Sequence, residues 1–384
     1  MKMINLSRWI LGCSFLGLGL GFYACQPSQE MPADLSTFFV GGDMSYVNEV
    51  EDCGAVYRSE GEEVDPFELL AQNGGNIMRV RLWYDPSDWT AYSNFEDVKK
   101  TIARARAQNL KILLDFHYSD TWADPQHQVI PKAWENVPTV ALLADSLYQY
   151  TQKVLIALHE DNLLPEYVQV GNETNIEIMQ DSASMDLVNI DWSRNVTLLN
   201  SGIKAVKDVE ASVGKEIGIM LHIAQPENAF WWFEDAIANG LDNSFEWIGL
   251  SYYPKWSTYK SVSDVSQALD SLRSLFDKRM MIVETSYIHT MADVDNAPNI
   301  LGEDSLIEGY EASPQGQLRY MQDLTRAVIK GGGEGLIYWE PAWISSSCRT
   351  LWGQGSHWDN ATLFDGQNGN DALPAMNISN WLPR

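Results

Sequence analysis

Two short segments carry residue types that could do chemistry: Val168-Gln169-Val170-Gly171-Asn172-Glu173 and Met280-Met281-Ile282-Val283-Glu284-Thr285. Each is a run of apolar β-formers that delivers a glutamate. An ionised carboxylate at the tip of a buried strand is costly, because charged groups resist leaving water unless something compensates them. Two such glutamates, in a chain that alternates strand with helix, read as a pair facing one cavity. Paired carboxylates around a sugar are the working parts of a retaining or inverting glycosidase. One supplies a proton to the leaving oxygen and the other meets the anomeric carbon.

The elements that must position them can be marked by their apolar pattern. Eight β-rich runs fall at 38–43, 77–83, 111–117, 167–172, 217–222, 245–252, 279–284 and 335–339. Segments of helical period separate them. Leu198, Ile203, Val206 and Val209 share one helix face, as do Leu269, Leu272 and Phe276, and 94–109 reads as a helix rich in Ala, Arg and Lys. Strand–helix alternation predicts a parallel sheet, and eight repeats predict a single (β/α)8 TIM barrel with its site at the C-terminal strand ends. A doubly wound dinucleotide fold would want GxGxxG after the first strand, which Gly41-Gly42-Asp43 does not supply.

Seven successive strand ends carry candidate groups. Strand two brings Arg79 and Arg81 on one face, and strand three ends in His117, Asp120 and Trp122. Strand four gives Asn172 and Glu173, strand five His222, and strand six Tyr253 with Trp256 beyond it. Strand seven gives Glu284, and strand eight Trp339 and Trp343. An arginine beside one glutamate would hold its pKa low and keep it a nucleophile. The other glutamate, drier against aromatic rings, would keep its proton. Asn172 is suited to a sugar 2-hydroxyl, and Tyr253 to orienting the nucleophile. Each has a plainer reading too. Glu173 could be a rim ion pair, the arginines an internal ion pair, the histidines satisfied core residues, and the tryptophans packing. Their joint occurrence at seven strand ends favours chemistry.

Bulk properties agree. Hydrophobic residues make up 45% of the 384 and charged residues 20%, which allows a large core and excludes global disorder. The 15 Trp, 16 Tyr and 12 Phe offer flat apolar faces of the kind on which sugar C–H surfaces pack. A net charge of −26 excludes nucleic acid and anionic membrane surfaces as natural partners. Lys2 and Arg8 flank an apolar run ending in Phe22-Tyr23-Ala24-Cys25, the build of a secretory signal over 1–24 with a lipobox-like end. On this reading Cys25 is lipidated, residues 25–36 form a tether, and 37–384 form the catalytic domain. The protein is then an exported, membrane-anchored lipoprotein at the cell surface or facing the periplasm, touching membrane only through its lipid. A secreted form is the alternative. With Cys13 and Cys25 in the leader, only Cys53 and Cys348 remain. Closing a barrel makes the loops after the first and last strands neighbours, so these two could pair.

Longer motifs then become recognisable. Residues 115–128, Asp115-Phe116-His117-Tyr118-Ser119-Asp120-Thr121-Trp122-Ala123-Asp124-Pro125-Gln126-His127-Gln128, resemble a signature of glycoside hydrolase family 53, the endo-β-1,4-galactanases. So do Val80-Arg81-Leu82-Trp83 with Tyr84-Asp85-Pro86, Gly171-Asn172-Glu173, Val283-Glu284-Thr285 and Tyr338-Trp339-Glu340-Pro341-Ala342-Trp343-Ile344. The resemblance runs from about Phe39 to the C-terminus. It implies a retaining (β/α)8 enzyme with Glu173 as acid/base and Glu284 as nucleophile, needing no cofactor for catalysis. The implied partner is β-1,4-galactan or arabinogalactan polysaccharide, cut internally to galacto-oligosaccharides. It also implies a structural Ca²⁺ in the loop after strand seven. Asp293, Asp295 and Asn299 offer hard oxygen donors there, although Ala297 stands where the family pattern has a histidine. Two other readings stay open: another (β/α)8 β-glycanase, such as a mannanase or cellulase-like enzyme, and a non-catalytic glycan-binding lipoprotein.

Overall fold

A computed structural model describes residues 35–383; the leader, Cys25 and most of the tether lie outside the described residues. Eight parallel strands close a barrel in which each strand pairs with its sequence neighbours and the last pairs with the first. They are β1 Phe39–Asp43, β2 Ile77–Leu82, β3 Lys111–Phe116, β4 Tyr167–Val170, β5 Gly218–Ala224, β6 Trp247–Ser251, β7 Arg279–Glu284 and β8 Gly335–Tyr338. The outer face is covered by helices: α1 Val47–Asp52 and α2 Pro66–Gln72 after β1, then α3 Phe95–Ala107, α4 Val140–Glu160, α5 Trp192–Val213, α6 Pro226–Ala238, α7 Val262–Phe276 and α8 Pro314–Lys330. Leu198, Ile203, Val206 and Val209 are fully buried on α5, as their spacing predicts. Helix starts are fixed by side chains: Asp65, Asn94, Thr139, Asp191, Ser261 and Ser313 each accept a first-turn N–H.

The barrel interior is layered, and the layers explain why a parallel strand here does not read as uniformly apolar. Phe39, Ile77, Leu113, Met220, Trp247, Met281, Val283 and Ile337, with Tyr167 against them, form an apolar plug. Two residues further along, the same inward face turns polar: Ile77 is followed by Arg79 and Arg81, Leu113 by Asp115 and His117, Tyr167 by Gln169, and Met220 by His222. The register makes these rows meet, with Asp43 opposite Arg79, Arg81 opposite Asp115, and Asp115 opposite Gln169. A dry floor therefore sits beneath a charged upper layer. Gly41 permits the closure of β1 on β2, because a Cβ there would lie 1.7 Å from the Ile77 carbonyl oxygen.

Three features differ from the strand–helix alternation. β5 runs two residues beyond the expected end, which puts His222 inside the strand. β4 stops at Val170, and the chain leaves through Gly171 at φ 90° and Glu173 at φ 43°. Among the described residues no α-helix follows β8. Short turns at Pro374–Met376 and Ile378–Asn380 pack there, with Trp381 buried and the Ser379 N–H bonded to Asn73. In addition, Arg58–Ser59 and Glu62–Glu63 from the first loop join Phe364–Asp365 and Asp371–Ala372 in a four-stranded sheet. A separate hairpin, Arg349–Thr350 with Gly353–Gln354, stands on the loop after β8.

Candidate active site

Glu173 and Glu284 open into one cavity at the C-terminal mouth. A carboxylate oxygen of each and a ring nitrogen of His222 all lie within 4.8 Å of one another. That separation suits a nucleophile and an acid/base sharing one sugar ring, typically about 5–5.5 Å apart. It leaves no room for the intervening water of an inverting pair, which needs roughly 6.5–9.5 Å.

The local backbone aims Glu173. Non-glycine residues at positive φ cost about 1–3 kcal/mol and persist where surroundings over-determine them. Here the surroundings are the Thr174 N–H bonded to the His222 carbonyl, the Asn175 side chain bonded to Ala224, and Gln128 Nε2 donating to the Asn172 carbonyl at 2.8 Å. Gly171 has no substitute, since a Cβ would sit 2.6 Å from Thr174 Cγ2.

Glu284 is held at both oxygens. Arg79 Nη2 meets Oε1 at 2.9 Å, and the Tyr253 hydroxyl donates to Oε2 at 3.3 Å. The same guanidinium donates to Asp43 at 2.7 Å, Asp115 at 2.8 Å, Asn172 Oδ1 at 2.7 Å and Gln169 at 3.0 Å. Arg79 is thus the hub of a buried network rather than a sugar contact. Burial works against its charge, but Asp115, Glu284 and Asp43 more than restore it.

Burial lifts both catalytic carboxyls. Glu284 is pushed up to about 7, with Arg79 and Tyr253 opposing the rise and Asp43 and Asp115 adding to it. The expectation that an arginine would hold this group low is therefore corrected: desolvation exceeds the pull of Arg79. Glu173 goes well above the ordinary range through burial and then repulsion from Glu284, with Ser251 opposing. The order is what chemistry requires, because Glu284 ionises first and Glu173 keeps its proton.

The chain of groups behind Glu173 is closed. Ser251 Oγ donates to Glu173 Oε1 at 2.5 Å, and His222 Nε2 lies 2.9 Å from Ser251 Oγ. His222 Nδ1 contacts Gln169 Nε2 at 3.0 Å and Asn172 Oδ1 at 2.9 Å. Burial, then Arg79, keeps this imidazole far below its usual pKa, so it is neutral. With both ring nitrogens engaged, it offers no free ligand atom to a metal.

The other expected residues divide into two groups. Trp339, Trp122, Tyr253 and Trp256 line the mouth in a file of rings that also includes Trp358 and Trp352. Asn172 donates one amide hydrogen to the Ala123 carbonyl and keeps a second for a hydroxyl. Arg81, His117, His222 and Trp343, expected at the sugar, are enclosed by protein. Arg81 pairs with Glu340 at 2.6 Å and lies under the rings of Tyr46 and Trp122 at 4.2 and 4.6 Å. His117 accepts from the Trp83 indole and the Ala123 N–H and reaches Asp115 at 3.0 Å. Trp343 stacks on Tyr46. Both oxygens of Asp120 are taken by backbone N–H groups of Asp85 and Lys132. Sequence reasoning missed Asp43, Gln169, Ser251 and the structural role of Glu340. Asp43 and Gln169 do sit on inward parity, a signal that could have found them.

A cavity of about 1050 Å³ between residues 130–143 and 177–194 includes neither glutamate. In the loop after β7, the Asn299 amide donates to Asp293 and Asp359 at 2.7 Å each, while Asp295 accepts from the Ala297 and Ser356 N–H groups. The three expected donors are gathered with Asp359. Among the described residues, though, only the Glu173–His222–Glu284 cluster brings three ligating groups close together. Cys53 and Cys348 are joined as a disulfide across 295 positions of sequence.

Comparison with known proteins follows this geometry. The model of glycosyl hydrolase family 53 matches residues 39–379. An arabinogalactan endo-beta-1,4-galactanase of Cellvibrio japonicus is 52% identical over 344 residues, covering 90% of this chain and 91% of that protein. The solved family 53 catalytic domain of Ignisphaera aggregans superposes with a TM-score of 0.81 at 33% identity, covering 91% of this chain and 97% of that one. A structure reported among two fungal beta-1,4-galactanases gives a TM-score of 0.74 at 28% identity, covering 88% and 98%.

Proposed function

The chain belongs to glycosyl hydrolase family 53, and from that premise we propose that it hydrolyses internal β-1,4-galactosidic bonds of galactan and arabinogalactan with retention of configuration. The observation that carries the mechanism is the approach of the two carboxylates within 4.8 Å. Glu284 attacks the anomeric carbon, and the C–O bond to the leaving sugar breaks as Glu173 gives that oxygen its proton. Glu173, now ionised, takes a proton from water. The hydroxide equivalent displaces Glu284 and frees the sugar with its original configuration. Arg79 and Tyr253 keep Glu284 oriented and ionisable, and Ser251 fixes the unreactive oxygen of Glu173.

The test is proton NMR of the first product formed from linear galactan, run beside mannan and cellulose. A β-configured first anomer from galactan alone is expected. An α anomer, or preference for another glycan, overturns the reading. Glu284→Ala must abolish turnover while leaving the thermal transition intact.

Two further parts belong to this proposal. The leader over 1–24 with Cys25 supports an exported, lipid-anchored enzyme, to be checked by mass spectrometry of the mature N-terminus. The donors Asp293, Asp295, Asn299 and Asp359 support a structural Ca²⁺ that would fasten the loop and take no part in bond breaking. A chelator should then lower the melting temperature of the purified protein, and added Ca²⁺ should restore it.

A further inference from the structure

The hairpin Arg349–Thr350 with Gly353–Gln354 holds up one large exposed side chain, Trp352, at 45% exposure. Its ring lies 6.1 Å from Trp122, which lies 6.1 Å from Trp339. Trp339 is hydrogen-bonded through its N–H to Thr285, next to the nucleophile. The three rings therefore form a file that starts beside Glu284 and leads away toward β1 and β2. Glu173, with Ser251 and His222, stands on the other side of Glu284, on β4, β6 and β5. The leaving group must lie toward the acid, so the Trp339–Trp122–Trp352 file runs under the glycone part of the chain.

The hairpin has too little area to hold itself, and two fastenings hold its neck. On one side Cys348 is bonded to Cys53 in the first loop, with Ser347 Oγ donating to the Cys53 carbonyl at 3.0 Å. On the other, the Gly355 N–H closes onto the Cys348 carbonyl at 3.0 Å, and the Ser356 N–H donates to Asp295 at 2.8 Å. Gly355 stands at φ 100° so close to Asp295 that a Cβ would clash at 2.2 Å. Trp352 itself bonds the hydroxyl of Tyr46, which stacks over Arg81.

We propose that Trp352 is a specificity-determining platform for a distal glycone sugar, and that the Cys53–Cys348 crosslink acts as its positioning device. The inference rests on the glycanase reading above. Rings of this size contribute large rigid contact at little entropic cost, so the effect belongs in the binding of long chains and not in bond breaking. Oxidation of the two thiols then decides how far along a chain the enzyme grips.

The test uses full-length wild type, Trp352→Ala, Trp352→Phe and the Cys53→Ser/Cys348→Ser pair on a ladder of linear galacto-oligosaccharides, from the shortest cleaved to the longest soluble. Trp352→Ala should lose about ten-fold in kcat/KM on the longest members, through KM, and stay within about two-fold on the shortest. Trp352→Phe should recover most of the loss. The cysteine pair, assayed where it remains folded by circular dichroism, should follow Trp352→Ala, and both should shift polymer digestion toward a different product length. A loss equal at all lengths, or none, overturns the platform. A cysteine variant matching wild type, or one that does not fold at any assay temperature while reductant-treated wild type keeps its length profile, overturns the positioning role. If wild type prefers another β-glycan, the galactan assignment fails. The length dependence is then read on that glycan's own ladder.

Discussion

Replacing Arg79 with lysine isolates the fork geometry from the charge. The guanidinium serves Asp43, Asp115, Glu284, Asn172 and Gln169, and the three acids among them are nearly or fully buried. A single ammonium cannot reach all of these corners, so at least one buried carboxylate loses its partner. Breaking a buried pair typically costs about 3–5 kcal/mol. For a domain with a total of about 5–15 kcal/mol the variant should still fold, with Tm lower on the order of 5–10 °C. The pH dependence follows from signs. Asp115 sits below its usual pKa: burial pushes it up, but Arg79, then His117, pull it lower. Its stabilisation is therefore present above the unfolded pKa and lost as pH falls through the folded value. The Tm deficit of the lysine variant should shrink in acid. Glu284, already near 7, loses its nearest cation contact, so the acid limb of kcat/KM should move up by about one unit. Differential scanning calorimetry across pH, with a pH–rate profile, measures both. A variant with wild-type Tm and an unmoved acid limb would show that Arg79 is not the hub described.

Glu173→Gln should lower turnover on galactan by about 10²–10⁴-fold, with the first step recovered on an aryl glycoside whose leaving group needs no proton. Because the folded pKa of Glu173 is raised, its contribution to stability is intact below about 4.3 and is lost as pH rises. The glutamine variant should therefore melt higher than wild type by a margin that grows with pH, and a margin flat with pH would contradict the burial assigned to Glu173. Ser251→Ala removes the hydroxyl that opposes that rise, so the basic limb should move further up and kcat fall about ten-fold; an unchanged basic limb would sever Ser251 from the acid. Reducing Cys53–Cys348 opens a loop of 295 positions, which chain entropy values at up to about 5 kcal/mol. Denaturant midpoints with and without reductant should differ accordingly, and coincident curves would refute that contribution.

The barrel and the catalytic glutamates were legible because each depends on local pattern. Period-two parity put Arg79, Asp115 and Gln169 on one face, and apolar runs marked every strand within a few residues. What parity does not give is which of eight strands an inward side chain will touch, since that is set by the stagger of the closed sheet. Arg79 and Arg81 looked equivalent in sequence. One turns to Glu284 and the other to Glu340, because they occupy different layers. His222 was expected at a strand end, but the hydrogen bonds of β5 continue to Ala224 and bury it under the acid. The four-stranded sheet escaped notice because its strands are two residues long and come from opposite ends of the chain.

That small sheet has a consequence for how the molecule comes into being. Arg58 waits for Asp371, the Arg58 N–H for the Asn370 carbonyl, and the Tyr57 hydroxyl for the Ala342 carbonyl at 2.7 Å. Whatever emerges first from the ribosome is left without its neighbours until almost the last codon is read. A protein fastened this way resists maturing piecemeal: nicking off its tail, or halting its synthesis a few dozen residues early, should cost the whole catalytic mouth rather than trim an edge.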